Sequence, residues 1–232
     1  MKKSGKALVI IIVVLLILFV ALGAVIYWLY TSVTDVSEAD KLNTTASTTI
    51  YKPLVKSIVL GEEQQITDDD INGIIATIMN EYTAKQEVAD ENAITVQGAS
   101  VYLQGENSAK LYVDLNWRDT RIIFSADATV QLNAEDKTIT MTLSNTKLGT
   151  LSIPTDWIMK TIEPSLTIIS SKVSVNGNSV IVPSEYTFEF MEKKLTLYIT
   201  RLEISQGSAS VQTNSAMNVI EQFIDEFIKG MF

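Results

Sequence analysis

Cysteine and histidine are both absent from the 232 residues. Without cysteine the chain carries no disulfide, no thiol nucleophile, no thiolate metal site and no cysteine for lipid attachment. Without histidine it lacks the usual base of a catalytic triad and the commonest ligand of transition metals. Basic side chains are scarce as well, 18 Lys and Arg against 27 Asp and Glu. Nucleic acid and broad docking on anionic headgroups both need clustered Lys and Arg, which makes them poor partners for this chain. There is no G-x-S-x-G elbow, G-x-G-x-x-G or P-loop, and no motif for a cofactor.

One stretch lacks charge altogether. Ala7 to Tyr30 runs for 24 positions without an ionisable Lys, Arg, Asp or Glu, directly behind Lys2, Lys3 and Lys6. As a helix it measures about 36 Å at ~1.5 Å per residue, enough to cross a hydrocarbon core of roughly 30 Å with modest tilt. The competing reading is a cleaved signal peptide, with Ala21-Leu22-Gly23 as the cleavage site. Cleavage there leaves the apolar run Ala24 to Tyr30 as a new terminus, and secretory apolar regions are only about 7 to 15 residues long. A retained transmembrane helix over 7–30 is therefore expected. The preceding lysines put residues 1–6 in the cytoplasm, and Tyr27, Trp28 and Tyr30 form an aromatic belt at the opposite interface, anchoring the chain in the membrane. The rest of the chain is then extracytoplasmic. It holds 15 basic against 27 acidic residues, a net charge of about −12.

Residues 31–49 turn polar, rich in Ser, Thr, Ala and Asp, with no apolar period. They read as a flexible linker holding the domain some 25 Å from the bilayer. The folded domain, residues 50–232, opens with Pro53 to Leu60 and then a well-marked helix. Thr67 and Asp70 have capping-box spacing, Asp68 to Asp70 load the first turn with negative charge, and Ile71, Ile74, Ile75, Ile78, Met79 and Tyr82 make an apolar stripe. The three aspartates lack the spaced oxygen ligands and turn glycine of a calcium loop, so helix capping is the better account of them.

From about Ala93 to Val211 the apolar period changes from 3.6 to 2. Val101 and Leu103 alternate, as do Leu111, Val113, Leu115 and Trp117, then Phe124, Ala126, Ala128, Val130 and Leu132, then Ile139, Met141 and Leu143. Arg121, Asp127, Thr129, Gln131, Thr138, Thr140 and Thr142 occupy the other positions, giving a sheet with one dry and one wet face. A short helix follows Ile153-Pro154, with Trp157, Ile158, Thr161 and Ile162 as its less polar face and Pro164 as its end. Val173 and Val175 meet Val180 and Val182 across Asn176-Gly177-Asn178, and Leu195, Leu197 and Ile199 run beyond the turn at Glu192-Lys193-Lys194. Finally, Asn214 to Phe232 places Met217, Ile220, Phe223, Ile224, Phe227, Ile228 and Met231 on one helical face. That stripe is compatible with core packing, a lid over an apolar channel, or membrane contact. The expected fold is α+β: a curved antiparallel sheet of about six to eight strands against amphipathic helices, behind the membrane helix.

Catalytic patterns are weak. Ser144-Asn145-Thr146-Lys147 fits a Ser-x-x-Lys nucleophile, but at a strand end and without its Ser-Asp-Asn or Lys-Thr-Gly partners. Glu62-Glu63 is one of many chance acidic pairs in a chain with 27 carboxylates. A non-enzymatic module is expected.

Ile66-Thr67, Asp70-Ile71-Asn72 and the later Leu148-Gly149-Thr150-Leu151-Ser152-Ile153-Pro154 stand in an order that resembles the YpmS-type membrane-anchored proteins. The similarity covers roughly Pro53 to Glu203. It implies a curved antiparallel sheet gripping helices, comparable to LmeA-type and tubular lipid-binding proteins, and carries no catalytic residues. The function so implied is binding of a lipid or another apolar ligand in a groove between sheet and helices, lined by Ile74, Ile78, Met141, Trp157, Ile220, Phe223 and Phe227. The alternative is a scaffold that binds a protein partner in a cell-envelope complex, and the bilayer is a partner of either.

Overall fold

The computed structural model describes residues 23–42, 45–85, 94–169, 172–190, 193–215 and 217. Among the described residues, four α-helices and eleven strands make an α+β fold with two antiparallel sheets. Helix α1 covers residues 23–33. It is followed by α2 (Tyr51–Leu60), β1 (Gln64–Thr67), α3 (Asp68–Lys85), β2 (Thr95–Gly105), β3 (Ser108–Trp117), β4 (Thr120–Asn133), β5 (Thr138–Leu148) and β6 (Leu151–Ser152). Then come α4 (Thr155–Ile169), β7 (Ser174–Asn176), β8 (Ser179–Pro183), β9 (Glu185–Phe190), β10 (Lys193–Ser205) and β11 (Ser208–Thr213). The larger sheet has the order β2-β3-β4-β5-β8-β7, with β6 beside β5, and the smaller one β1-β11-β10-β9. A single curved sheet was expected from the period-2 segments; two sheets form because β9 to β11 pair with β1, from the far end of the domain, rather than extending the meander.

The meander itself follows the alternation in the sequence. Val101 opposes Leu111, Leu111 opposes Ala126, Ala128 opposes Leu143, and Val130 opposes Met141, which in turn opposes Val180. This face is dry because α4 lays Met159 and Ile162 on Ala128, Leu143, Met141 and Val180. The alanines leave room for that approach. At the other end Leu103 and Ala109 pack against Ile204 and Ala209, joining the two sheets. Pro164 does not end α4, which continues to Ile169. A proline forfeits one backbone bond and strains the preceding turn, and here packing of the turns around Met159 and Ile162 holds the helix in place regardless.

Helix α2 extends the expected opening of the domain. Pro53 lies in its first turn, where a missing N–H costs no helical bond. Gly61 closes it in the left-handed conformation at φ 68°, its N–H donating to the Ser57 carbonyl at 2.7 Å. Ile50 and Leu54 meet Ile66 and Val211 in a second core beneath the smaller sheet.

Helix α3 carries the expected capping box. The Asp70 N–H donates to Thr67 Oγ1 at 3.2 Å, and the Thr67 N–H donates to Asp70 Oδ2 at 3.1 Å. The neighbouring aspartate and an asparagine one turn on do something the sequence does not advertise. Leu103 N–H donates to Asp68 Oδ1 at 2.9 Å, Val101 N–H donates to Asn72 Oδ1 at 2.7 Å, and Asn72 Nδ2 donates to the Val101 carbonyl at 2.9 Å. The Asn72 amide thus stands in for a neighbouring strand along the outer edge of β2, and it is 1% exposed.

Two substitutions separate capping from edge pairing. Thr67→Ala should cost about 1 kcal/mol in urea melts. Asn72→Leu, which orphans a buried N–H and a carbonyl at once, should cost about 2 kcal/mol or more. Asp70 also makes a pH signature. Its carboxyl lies below the ordinary value of 3.8, held there first by the Thr67 N–H and next by the Thr49 hydroxyl. A lowered folded pKa stabilises the protein above the unfolded pKa, and that stabilisation disappears as pH falls through the folded value. The stability difference between wild type and Asp70→Ala should therefore be full near neutrality and shrink in melts taken below about pH 4.

Candidate functional site

Two faces of the larger sheet were expected to differ, one dry and one wet. The half of the outer face away from α1 is wet, with Thr129, Gln131 and Thr142 exposed. The other half is covered: Ser100, Tyr112, Ile123 and Ser125 are buried on it. Their cover is residues 32–42, the stretch read as a free tether.

This strap is bonded at both ends. The Thr150 N–H donates to the Ser32 carbonyl at 2.9 Å. Further on, Ser100 Oγ and Tyr102 Oη both donate to the Lys41 carbonyl, at 2.7 and 2.6 Å. Between them Glu38 accepts from Tyr112 Oη at 3.5 Å and pairs with Lys110 at 3.8 Å. Beyond the strap, Ser47 donates its N–H to the Gly73 carbonyl at 3.0 Å, and Thr49 Oγ1 donates to Asp70 Oδ1 at 2.7 Å. A polar composition with no apolar period masks this binding. The strap is held by its backbone carbonyls and short polar side chains, which leave no periodic mark in a sequence.

Gly149 sets the strap's starting point. It sits at φ 56°, and a Cβ there would lie 2.1 Å from the Ser32 carbonyl oxygen and 2.8 Å from that of Val33. Only glycine allows the β5–β6 turn and the strap to come so close.

Beside the strap, β4 and β5 fall out of register. Ser125 opposes Lys147 and Asp127 opposes Ser144, so one extra residue is accommodated around Asn145 and Thr146. Asn145 takes the left-handed conformation at φ 49° and donates Nδ2 to Asp127 Oδ2 at 2.7 Å. Thr146, buried, donates Oγ1 to the Ile153 carbonyl at 2.7 Å and lies 3.1 Å from Thr155 Oγ1, tying the bulge to the start of α4. The result is an open cavity of about 480 Å³, walled by Lys110, Ser125, Asp127, Asn145, Lys147 and the Ser152 to Thr155 segment. Lys147 also lines a smaller cavity of about 110 Å³ under the strap, with Asp35, Glu38 and Ile123.

Electrostatics here favour a fixed positive charge. Burial pulls the Lys110 ammonium down, but Tyr112, Glu38 and Asp127 outweigh it and the net shift is upward. Tyr112 is pushed up by burial first and by Glu38 second, so its hydroxyl stays protonated and available as a donor. Toward the tip of the β3–β4 hairpin, Arg121 clasps Asp114 through three contacts of 2.7 to 3.0 Å.

The residues expected to line an apolar groove do not come together. Ile74 packs with the second core around Ile50, Ile66 and Val211, whereas Met141 belongs to the core around Met159. Ile78 and Trp157 are 58% and 55% exposed. Ile220, Phe223 and Phe227, with the rest of the terminal stripe after Met217, lie outside the described residues. Tyr27, Trp28 and Tyr30 are all exposed along α1. Among the described residues no helix is long and apolar enough to cross a membrane, and most of the segment 7–30 falls outside them.

Lys110, Ser125, Asp127, Asn145 and Lys147 went unnoticed as a group in the sequence. One signal was there. The core residues of β5 run on odd positions, Ile139, Met141 and Leu143, and resume on an even one, Leu148, which opposes Phe124. A change of parity inside a strand marks a bulge, and bulges gather near sites. No family model, no curated protein and no solved structure matches the chain.

Gly149→Ala tests the strap. The added methyl collides with the Ser32 carbonyl and strains the backbone by about 1 to 2 kcal/mol. Hydrogen exchange of the Thr150 amide should rise sharply, together with protease sensitivity of residues 32–42, while the amides of Ala126 and Ala128 keep their protection.

Proposed function

We propose that the chain is a single-pass membrane protein, with its N-terminus in the cytoplasm and an extracytoplasmic domain that binds a lipid at the bilayer surface. The observation that carries this function is the bond between Thr150 and Ser32. A segment reaching the domain from a membrane helix over 7–30 arrives at the β5–β6 turn with no free linker in between. Lys147 stands one residue short of the two-residue Gly149-Thr150 turn and pairs with Ser152 on its other side. The domain is thereby held with its cavity toward the headgroup layer, where lipid is the most abundant ligand. The β3–β4 hairpin projects in the same direction past Leu148, and its tip offers Trp117 with the Arg118 guanidinium 5.1 Å from the ring centroid. An aromatic ring beside a cation suits the bilayer interface. The resemblance to YpmS-type proteins belongs with this function, and so does a binding role without catalysis.

An envelope scaffold is the second reading, favoured by Tyr51, Val55 and Leu60, which are exposed on α2 although the helix is otherwise packed on the smaller sheet. In-cell crosslinking from Val55 separates the two. A scaffold returns one reproducible protein partner, and a lipid-binding module returns a scatter of abundant neighbours.

Native mass spectrometry of the domain from Thr31 onward, released without detergent, checks lipid binding directly. Lipid adducts should persist across preparations. Their consistent absence would end the lipid function, and full activity in cells of a domain secreted behind a cleavable signal would end the requirement for the anchor.

A further inference from the structure

The cavity beside the bulge has a composition of its own. Two lysines face one carboxylate on its wall, in a domain where acidic residues greatly outnumber basic ones. Ser125 is 1% exposed and lines the same wall. The wall is also rigid. Asn145 holds Asp127, Thr146 holds the Ile153 carbonyl, and Glu38 and Tyr112 steady Lys110. Preorganised side chains lose little entropy when a ligand arrives.

Charge decides the ligand class. Two ammonium groups and a hydroxyl donor complement a phosphate, for which Lys serves as a point charge and each charge-assisted bond is roughly twice as strong as a neutral one. Asp127 would repel a bare anion. It accepts well from a hydroxyl group, however, and one of its oxygens already takes the Asn145 amide. A site pairing cations for a phosphate with a carboxylate for a hydroxyl fits a phosphoester of a polyol. The start of α4, at Thr155, puts the positive end of a helix dipole on the same side.

We infer that this cavity is a binding site for a polyol phosphoester, with Lys110, Lys147 and Ser125 on the phosphate and Asp127 on a hydroxyl of the polyol. The site stands on the cavity alone; only its supply by a membrane lipid rests on the bilayer-surface function proposed above.

Calorimetry on the full chain in a phosphate-free maltoside detergent tests it. The probes are inorganic phosphate, glycerol 3-phosphate and dihexanoyl phosphatidylglycerol below its micellar concentration. Glycerol 3-phosphate should bind in the millimolar range or tighter and better than inorganic phosphate. Lys110→Gln and Lys147→Gln should each weaken it about tenfold, the size of one charge-assisted contact. Asp127→Asn should abolish the preference for glycerol 3-phosphate over inorganic phosphate, and unchanged thermal melts show that each variant is folded. Tighter binding of the lipid than of glycerol 3-phosphate supports the site with lipid as its source. Equal or tighter binding of glycerol 3-phosphate supports it with a soluble phosphoester as source, and the lipid function then fails while the site stands. No heat from any probe, or binding indifferent to both lysine variants, overturns the site whatever native mass spectrometry shows for lipid.

Discussion

Everything distinctive about this domain hangs on one backbone contact, the donation from Thr150 N–H to the Ser32 carbonyl, made possible by the missing side chain of Gly149. It converts a stretch that reads as slack chain into a strap. Once Ser32 is placed, Glu38 reaches Tyr112 and Lys110, and the Lys41 carbonyl collects the hydroxyls of Ser100 and Tyr102. The individual bonds are modest, about 1 kcal/mol each, but they act on a segment whose path is already set at one end. Half of the outer sheet face is dry as a result.

A second constraint keeps the larger sheet finite. Strand β2 is an edge, and an unprotected edge invites pairing with another chain. Helix α3 answers with side chains, since Asn72 presents both an acceptor and a donor to Val101 and Asp68 accepts from Leu103. The helix can do this only because its own start is stabilised one residue away, by Thr67 and Asp70. Capping, edge protection and attachment of residues 47–49 are thus three uses of one helical turn. The edge falls on Asp70-Ile71-Asn72, and the strap and the cavity fall on Leu148 to Pro154.

The cavity depends on the bulge, and the bulge on both neighbours. An extra residue in β5 turns Asn145 toward Asp127 and Thr146 toward the Ile153 carbonyl. Ser125 is left buried on the opposite strand, on the wall of the cavity. A strand pair in perfect register would have closed that space. The polar chemistry therefore collects on the outer face, whereas Ile74 and Met141, which apolar patterning made candidates for a shared groove, fill two separate cores.

Local rules alone account for a good part of this molecule. The capping box at Thr67 and Asp70, the apolar stripe of α3, the hairpin at Asn176 to Ser179 and the alternation through β2, β3, β4 and β5 are each decided by neighbours within a few residues. So is the uncharged run from Ala7 to Tyr30, because length and charge are properties of the chain itself. Tertiary structure decided the rest. Whether the smaller sheet forms depends on β1 meeting β11, more than 140 residues away in sequence. Whether a polar stretch is tether or strap depends on Gly149 lying beneath Ser32, and whether Lys110, Asp127 and Lys147 share a cavity depends on the register of three strands. Those are meetings between distant parts of the chain, and local periodicity carries no record of them.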